Sequence, residues 1–160
     1  MAVNSTYIYW ANESAGAIGR AKLDGTAVEP NFITGITTPR GVAVTPTWIY
    51  WPSLTGNEIG RANLDGTGKT LGLVTGVASP CSVATDSGHV YWGSGATPGF
   101  VGRATLAGGL QEREWANLGS YIPCGLAVNT ANVFVANFGF ISKAHEIGRL
   151  SITGGTFQPS

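Results

Sequence analysis

One phrase recurs along this chain at a nearly constant spacing, and it constrains the fold more than any other feature. Its first part, a β-branched residue followed by an aromatic doublet, begins at Ile8, Ile49 and Val90, 41 residues apart, and a weaker copy begins 43 residues later at Val133. Its second part, an Ile-Gly-Arg or Val-Gly-Arg triplet, begins at residues 18, 59, 101 and 147. A period near 40 residues indicates a repeat fold, in which no single unit can bury its own apolar face.

Each repeat predicts four short strands. In the second repeat they are 41–44, 48–51, 59–64 and 70–75, each rich in β-branched or aromatic residues and bounded by turn residues. Asp-Gly or Gly-Gly between the third and fourth strands predicts a tight hairpin. No window has a sustained 3.6-residue apolar period, so we predict essentially no helix.

Four antiparallel strands in about 40 residues are typical of one blade of a β-propeller. We therefore predict an all-β fold of one domain, with blades at 1–38, 39–79, 80–122 and 123–160. A β-solenoid is the alternative, but solenoid coils are shorter and need no hairpin within each coil.

Composition bounds the classes of partner. The net charge is zero and only 11% of the residues are charged, against roughly 25% in ordinary soluble domains. Nothing here favours a nucleic acid or an anionic membrane, and no apolar run approaches the roughly 18 residues of a membrane span. A polar surface made of Gly, Thr, Ser and Asn is common in secreted proteins, so we favour a secreted or cell-surface location. Because no signal peptide precedes Ala2, we expect a mature or excised piece.

The combined phrase resembles the YWTD repeat, the class B repeat of low-density lipoprotein receptors and its bacterial relatives. The resemblance rests on Tyr-Trp, on Ile-Gly-Arg-Ala-Asn-Leu-Asp-Gly-Thr at 59–67, on Val-Thr-Gly at 74–76 and on Pro-Arg-Gly-Val-Ala-Val at 39–44, and it covers the whole chain. It implies propeller blades, usually six to a ring, that bind other proteins without catalysis. It does not extend to particular receptor ligands.

The chain departs from this family at the Asp that ends the motif. Its place is taken by neutral residues, which are Asn12, Ser53, Ser94 and Asn137. In the family that Asp is a structural hydrogen-bonding residue between blades. We therefore expect a divergent, bacterial-like branch in which this network is uncharged.

Four blades raise the question of how the ring closes. A six-bladed ring turns about 60° per blade and a four-bladed ring about 90°, which wedge-shaped blades with Tyr-Trp strands do not suit. An open arc would expose an apolar blade face at each end, and head-to-tail contacts close into a ring when the rotation fits. We predict a homodimer with eight blades, and the alternative is a closed four-bladed monomer.

The most conspicuous side chains have structural explanations. Adjacent residues of a strand point to opposite faces, so we expect each Tyr-Trp doublet to fill the two layers between blades rather than to bind a sugar. The arginines of the third strands have no carboxylate in register beside them in the sequence, and we expect each to donate to carbonyls or to the Asn/Ser positions of a neighbouring blade. These residues are Arg20, Arg61, Arg103 and Arg149.

Arg40, Cys81 and Cys124 occupy the same place in successive blades, at the start of the innermost strand. We therefore place all three at the mouth of the central channel. A disulfide requires Cα atoms within about 7 Å, which is marginal for adjacent inner strands, so we expect two free thiols. A reactive or metal-binding pair would need a third ligand, and none is evident.

The ligand-binding surface is predicted on the loops that vary between blades, around the channel. The loop at 137–146 is the longest, and its exposed aromatic residues lie beside a lysine and a histidine. The predicted ligand-binding residues are Phe138, Phe140, Lys143 and His145, together with Arg40. The alternative is a loop that packs its own aromatic residues over the edge of the blade.

Two classes of function remain, beside the possibility that the chain is a fragment that reassembles and has no function alone. The first is a non-catalytic propeller that binds a protein or a glycan and associates with a second copy of itself. The second is an enzyme that resembles the streptogramin lyases, which are propellers with a histidine general base and a magnesium ion. Because only His145 and Glu146 fall together in one loop, we expect no enzymatic activity, no metal and no cofactor. Asp24 and Asp65 belong to turns, and His89 begins a strand.

Overall fold

The computed structural model describes residues 1–137, 146–154 and 156–159, and every regular element in these ranges is a β-strand. The first sheet consists of β1 (Ala2–Val3), β2 (Tyr7–Asn12), β3 (Ala17–Lys22) and β4 (Glu29–Ile33). The second consists of β5 (Ala43–Val44), β6 (Trp48–Ser53), β7 (Glu58–Asn63) and β8 (Thr70–Thr75). No helix in the described ranges is long and apolar enough to cross a membrane.

The third and fourth sheets repeat the same order. The third consists of β9 (Pro80–Thr85), β10 (His89–Ser94), β11 (Gly99–Thr105) and β12 (Glu112–Gly119). The fourth consists of β13 (Gly125–Val128), β14 (Asn132–Ala136) and β15 (Ile147–Ser151), and an isolated bridge from Arg149 to Gln158 stands where a fourth strand would pair. All pairs are antiparallel between strands consecutive in the chain. The all-β, blade-like architecture is therefore confirmed.

The register between second and third strands is the same in all four sheets. Tyr50 pairs with Arg61 and Trp51 with Gly60 in the second sheet, and the other sheets align the corresponding residues in the same way. Because side chains alternate along a strand, the tyrosine and the tryptophan of one doublet point to opposite faces of their blade. We call the face toward the next blade in the chain the front face, and the face toward the preceding blade the back face.

Three apolar cores lie between consecutive blades and bury these faces. Tyr9 of the first blade meets Trp51 of the second in one core, and Tyr50 of the second meets Trp92 of the third in the next. The third core contains Tyr91 and the valines of the fourth blade. The prediction that the doublets fill both layers between blades is confirmed for the second and third blades, which have a blade on each side.

The glycine of the Ile-Gly-Arg triplet is explained by the tryptophan opposite it. A Cβ at Gly60 would lie 2.4 Å from Nε1 of the Trp51 indole, and Gly19 and Gly102 meet their own tryptophans as closely. The indole therefore lies flat on the glycine backbone. Tryptophan and glycine are one packing unit contributed by two strands.

The fourth blade keeps this unit by a different route. Val135 stands at the tryptophan position, and the ring of Phe157 covers Gly148 instead, 2.2 Å from where a Cβ would lie. Phe157 packs on the third core, with its ring centroid 5.1 Å from that of Tyr121. An aromatic ring from the end of the chain thus replaces the missing indole.

We expect Gly60→Ala to destabilise the protein by about 1–3 kcal/mol, the usual cost of overpacking a core. The new methyl group must displace the fully buried ring of Trp51. Urea unfolding followed by tryptophan fluorescence measures the effect. Gly41→Ala in the same blade is the matched control, because its Cβ would meet nothing closer than 3.9 Å. Equal effects of the two substitutions would contradict this account.

The turns between first and second strands repeat a side-chain cap. Asp86 Oδ1 accepts hydrogen bonds from the backbone N–H groups of Gly88 and His89, each at 2.7 Å. Asn4, Thr45 and Asn129 cap the same turns of the other blades through their own oxygens. Asp86 also accepts a hydrogen bond from the Tyr91 hydroxyl at 2.8 Å. His89 begins β10, as predicted.

These contacts shift the titration of both partners. Burial alone would raise the pKa of Asp86, but the two backbone N–H groups and the Tyr91 hydroxyl outweigh it and hold that pKa below its usual range. Burial, followed by the hydrogen bond to Asp86, raises the pKa of Tyr91 to about 12. The carboxylate at this turn is the form that the folded protein favours.

We expect Asp86 to make folding more sensitive to acid. Because its pKa is lower in the folded state, its contribution to stability is complete above the usual aspartate pKa of about 3.9 and is lost as the pH falls through the lowered value. Asp86→Asn keeps the cap, as Asn4 does with an amide that donates to Tyr9. The difference in melting temperature between wild type and variant should therefore shrink as the pH falls from 5 to 2. A difference that is independent of pH would contradict the assignment.

Candidate binding surfaces at the channel and the blade ends

The third-strand arginines cross from one blade to the next. Arg61 Nη1 donates to the carbonyl of Leu106 at 2.7 Å, and Arg103 Nη1 to that of Ile152 at 2.9 Å. Arg20 Nη1 reaches the carbonyl of Leu64 at 3.4 Å. The predicted donation to neighbouring carbonyls is confirmed for these three arginines.

The expectation that no carboxylate accompanies the arginines is wrong for two of them. The fourth strand places Glu29 in register with Arg20, at 2.8 Å, and Glu112 beside Arg103. These partners are nine residues away in sequence, so a search of adjacent residues misses them. Aromatic rings complete each setting, as where the Arg61 guanidinium lies 4.4 Å from the centroid of Trp48. These three arginines, Arg20, Arg61 and Arg103, therefore hold blades together rather than bind a ligand.

Neutral side chains form buried hydrogen bonds at positions where the resembled family has aspartate. Ser53 Oγ donates to the carbonyl of Thr37 at 2.6 Å, and Ser94 Oγ to that of Ala78 at 2.9 Å. In the fourth blade Asn137 Oδ1 accepts from the backbone N–H of Ile122 at 2.9 Å. Each bond ties the end of a second strand to the segment that enters the same blade. This agrees with the expected uncharged network.

The two cysteines are joined, and the expectation of two free thiols is wrong. Cys81 and Cys124 form a disulfide with their Cα atoms 5.0 Å apart, which is inside the usual range. The inner strands converge on the channel more closely than the sequence suggested. The bond therefore links the innermost strands of the third and fourth blades.

The three residues predicted at the channel mouth line one cavity. Arg40, Cys81 and Cys124 lie there among the inner strands, and Met1 of the first blade reaches the same space. The Arg40 guanidinium pairs with Glu13 of the first blade at 3.0 Å, with both side chains about half exposed. Arg40 is thus held beside the channel by a loop of the preceding blade.

The front face of the fourth blade is exposed. Ile147 is 62% exposed, whereas its equivalents Ile18, Ile59 and Val101 are fully buried in the cores between blades. Phe134 is partly exposed and Arg149 is exposed. The side chains of this face line a depression, and they are Phe134, Ile147, Arg149, Gln158 and Pro159.

The back face of the first blade is exposed in the same way. Trp10 is partly exposed, whereas Trp51 and Trp92 are buried. Ile8 is partly exposed and Val3 is 55% exposed, although the equivalent Ile49 is fully buried. The described residues therefore form an open arc of four blades, and the closed four-bladed ring is not the arrangement of this structure.

Four of the predicted ligand-binding residues, namely Phe138, Phe140, Lys143 and His145, lie outside the described residues. Among the residues that are described, no group of three or more His, Cys, Asp or Glu side chains is placed to hold a metal ion. Sequence reasoning anticipated the exposed end faces in general. The sequence did not indicate which motif residues lie on which end face. That assignment requires knowing the face of the blade on which each motif residue is buried.

Solved structures share this arrangement of blades. A chain of the crystal structure of a nidogen/laminin complex matches 99% of this chain over 62% of its own length, with 23% identity and a TM-score of 0.86. The virginiamycin B lyase of Staphylococcus aureus matches 96% of this chain over 51% of its own, with 18% identity and a TM-score of 0.70. A streptogramin B lyase matches 99% of this chain over 52% of its own, with 21% identity and a TM-score of 0.71.

This chain therefore spans between half and two thirds of the length of these structures. At such identities the likeness shows the fold alone, and it supports a YWTD-like β-propeller. No protein-family profile matches the chain. No curated protein sequence matches it either.

Proposed function

We propose that this chain is a non-catalytic β-propeller module that associates through its end faces and serves as a scaffold for binding a protein or a glycan. The exposed end faces carry the proposal. They consist of side chains that are buried wherever another blade follows or precedes. Apolar patches of this kind mark interaction sites in soluble proteins.

The proposed first partner is a second copy of the chain, which would give a homodimeric ring of eight blades. Such a ring turns about 45° per blade, within the range of known propellers. The described channel groups support binding over catalysis, because Arg40 is paired with Glu13 and the cysteines are oxidised. Disulfides persist in oxidising compartments, which supports a secreted or cell-surface location.

Multi-angle light scattering tests the assembly. We expect a species of about twice the 16.5 kDa chain mass that dissociates on dilution. A clean monomer at high micromolar concentration would refute the self-assembling scaffold. A larger, open-ended series of masses would refute the eight-bladed ring but not association through the end faces.

The comparison with lyases requires a separate experiment on catalysis. Titration with Mg²⁺ while the melting temperature is followed distinguishes the two classes of function. We expect no change in melting temperature. A saturable increase that disappears in His145→Ala would favour a metal-dependent enzyme and overturn the non-catalytic assignment.

The loop at 137–146 is the proposed contact surface for a ligand, together with Arg40. A glycan array and a panel of extracellular-matrix proteins are suitable probes, since one structural neighbour is a nidogen/laminin complex. Any ligand found should bind the Phe138→Ala, Phe140→Ala double variant more weakly. Unchanged binding to that variant would refute the assignment of this loop.

A further inference from the structure

We infer that the front face of the fourth blade binds the back face of the first blade of a second copy, with Arg149 and Phe134 of one copy placed against Leu23 and Trp10 of the other. This register rests on the proposed self-assembly. It is read from the three interfaces that the chain already contains between its own blades.

The polar part of the register follows from the arginine bonds. In each internal interface the third-strand arginine donates to a carbonyl at the end of the next blade's third strand, as Arg61 does to Leu106. Arg149 is the fourth member of that series and is exposed on the front face. On the first blade the equivalent of Leu64 and Leu106 is Leu23, a residue that is 54% exposed. The arginine donor and the residue that carries the corresponding carbonyl therefore lie in the two terminal blades of one chain.

The apolar part follows from the same comparison. The first two internal cores join the ring at the tyrosine position and the residue at the isoleucine position of one blade to the tryptophan of the next, as with Tyr9, Ile18 and Trp51. Phe134 and Ile147 hold the first two positions on the open front face. Trp10 holds the third on the open back face.

The orientation of Trp10 and the charge of Arg149 favour a contact between unlike faces. Trp10 already lies flat on Gly19 of its own blade, so its outer surface is set in the orientation that Trp51 and Trp92 have in the cores. Among its described residues the front face carries the cation Arg149, and the apolar residues around it need no charged partner. A front face thus complements a back face, whereas two front faces would oppose two arginines.

A contact between unlike faces is heterologous, so it repeats until the rotation closes a ring. Two copies contain two such contacts. If every copy has the same face blocked, both contacts of the ring are lost. If one variant has a blocked front face and another has a blocked back face, a mixture of the two keeps one contact, between the two unblocked faces. This property separates the inferred register from any symmetric dimer.

The test uses Ile147→Asp on the front face and Val3→Asp on the back face, both at side chains exposed in the single chain. Each variant alone should self-associate at least about a hundredfold more weakly, because association would bury a carboxylate in an apolar contact. Arg149→Glu is a second front-face variant, in case Ile147→Asp folds poorly. Leu110→Asp, at an 82% exposed turn of the third blade, should keep the wild-type mass.

Native mass spectrometry of a mixture of Val3→Asp and Ile147→Asp should show heterodimers through the one intact contact. If Ile147→Asp and Arg149→Glu both still form oligomers of the wild-type mass, this register is wrong, although the chain does self-assemble. Heterodimers no more abundant than homodimers would also overturn it, in favour of a symmetric contact. A monomeric wild type would instead refute the self-assembly on which the register rests.

Discussion

Replacing both cysteines, as Cys81→Ser with Cys124→Ser, is expected to lower the free energy of unfolding by about 4 kcal/mol. The disulfide joins residues 43 apart in the sequence, and closing a loop of that length removes about this much conformational freedom from the unfolded chain. A loss of this size is a large part of the roughly 5–15 kcal/mol by which domains are usually stable. Urea unfolding in the absence of reductant measures it.

Two controls separate the cross-link from the substituted side chains. Wild type unfolded in the presence of reductant should approach the stability of the double variant. Cys81→Ala with Cys124→Ala should lower the stability to a similar extent as the serine pair, because both pairs of substitutions remove the cross-link. A decrease below about 1 kcal/mol in all three cases would show that the bond contributes little to holding the third and fourth blades together.

The sequence predicts the blades well because the repeat reports packing directly. Tyr50 and Trp51 are adjacent and must face opposite sides of a strand, so an interleaved stack of blades is the arrangement that buries both. The glycine at position 60 belongs to the same signal, since the indole of Trp51 leaves no room for a side chain there. The alternation of side chains along each strand and the repeat period of the sequence are therefore enough to predict the blade architecture.

The errors concern distances between strands that are far apart in sequence. Neither the 5.0 Å between the Cα atoms of Cys81 and Cys124 nor the pairing of Arg20 with Glu29 can be read from neighbouring residues. The distance between the cysteines depends on how closely the inner strands approach one another. The Arg20–Glu29 pair depends on the register of the fourth strand against the third. A partial signal existed in the second case, because Glu29 and Glu112 each lie nine residues after an arginine.

The fourth blade shows how a broken repeat is compensated. Val135 in place of tryptophan reads as a weakened copy, but Phe157 restores the cover over Gly148 from another strand. The end faces could be predicted as apolar from the period alone. Their proposed complementarity could not, because it depends on which residue of each doublet faces forward, and only the buried interfaces reveal that direction.

Ser53→Asp, which places the residue of the resembled family in this chain, is expected to destabilise the fold by about 3–5 kcal/mol. Ser53 is fully buried, and its hydroxyl donates to the carbonyl of Thr37. A carboxylate cannot donate to that carbonyl, and a buried charge without a partner costs about this much. The Asp of the resembled family would need a setting that the surroundings of Ser53 do not provide.

The position in the first blade provides the matched control. Asn12 occupies the same place in the repeat but is only partly buried, so Asn12→Asp should change stability by less than about 0.5 kcal/mol, as surface substitutions usually do. Burial should raise the pKa of the new carboxyl in Ser53→Asp, and the folded state then binds the extra proton more tightly than the unfolded state. The difference in free energy of unfolding between wild type and Ser53→Asp should therefore become smaller as the pH falls from 7 to 4. Equal destabilisation by the two substitutions, or a deficit that grows with acid, would show that the buried serines are not a neutral replacement for the aspartate.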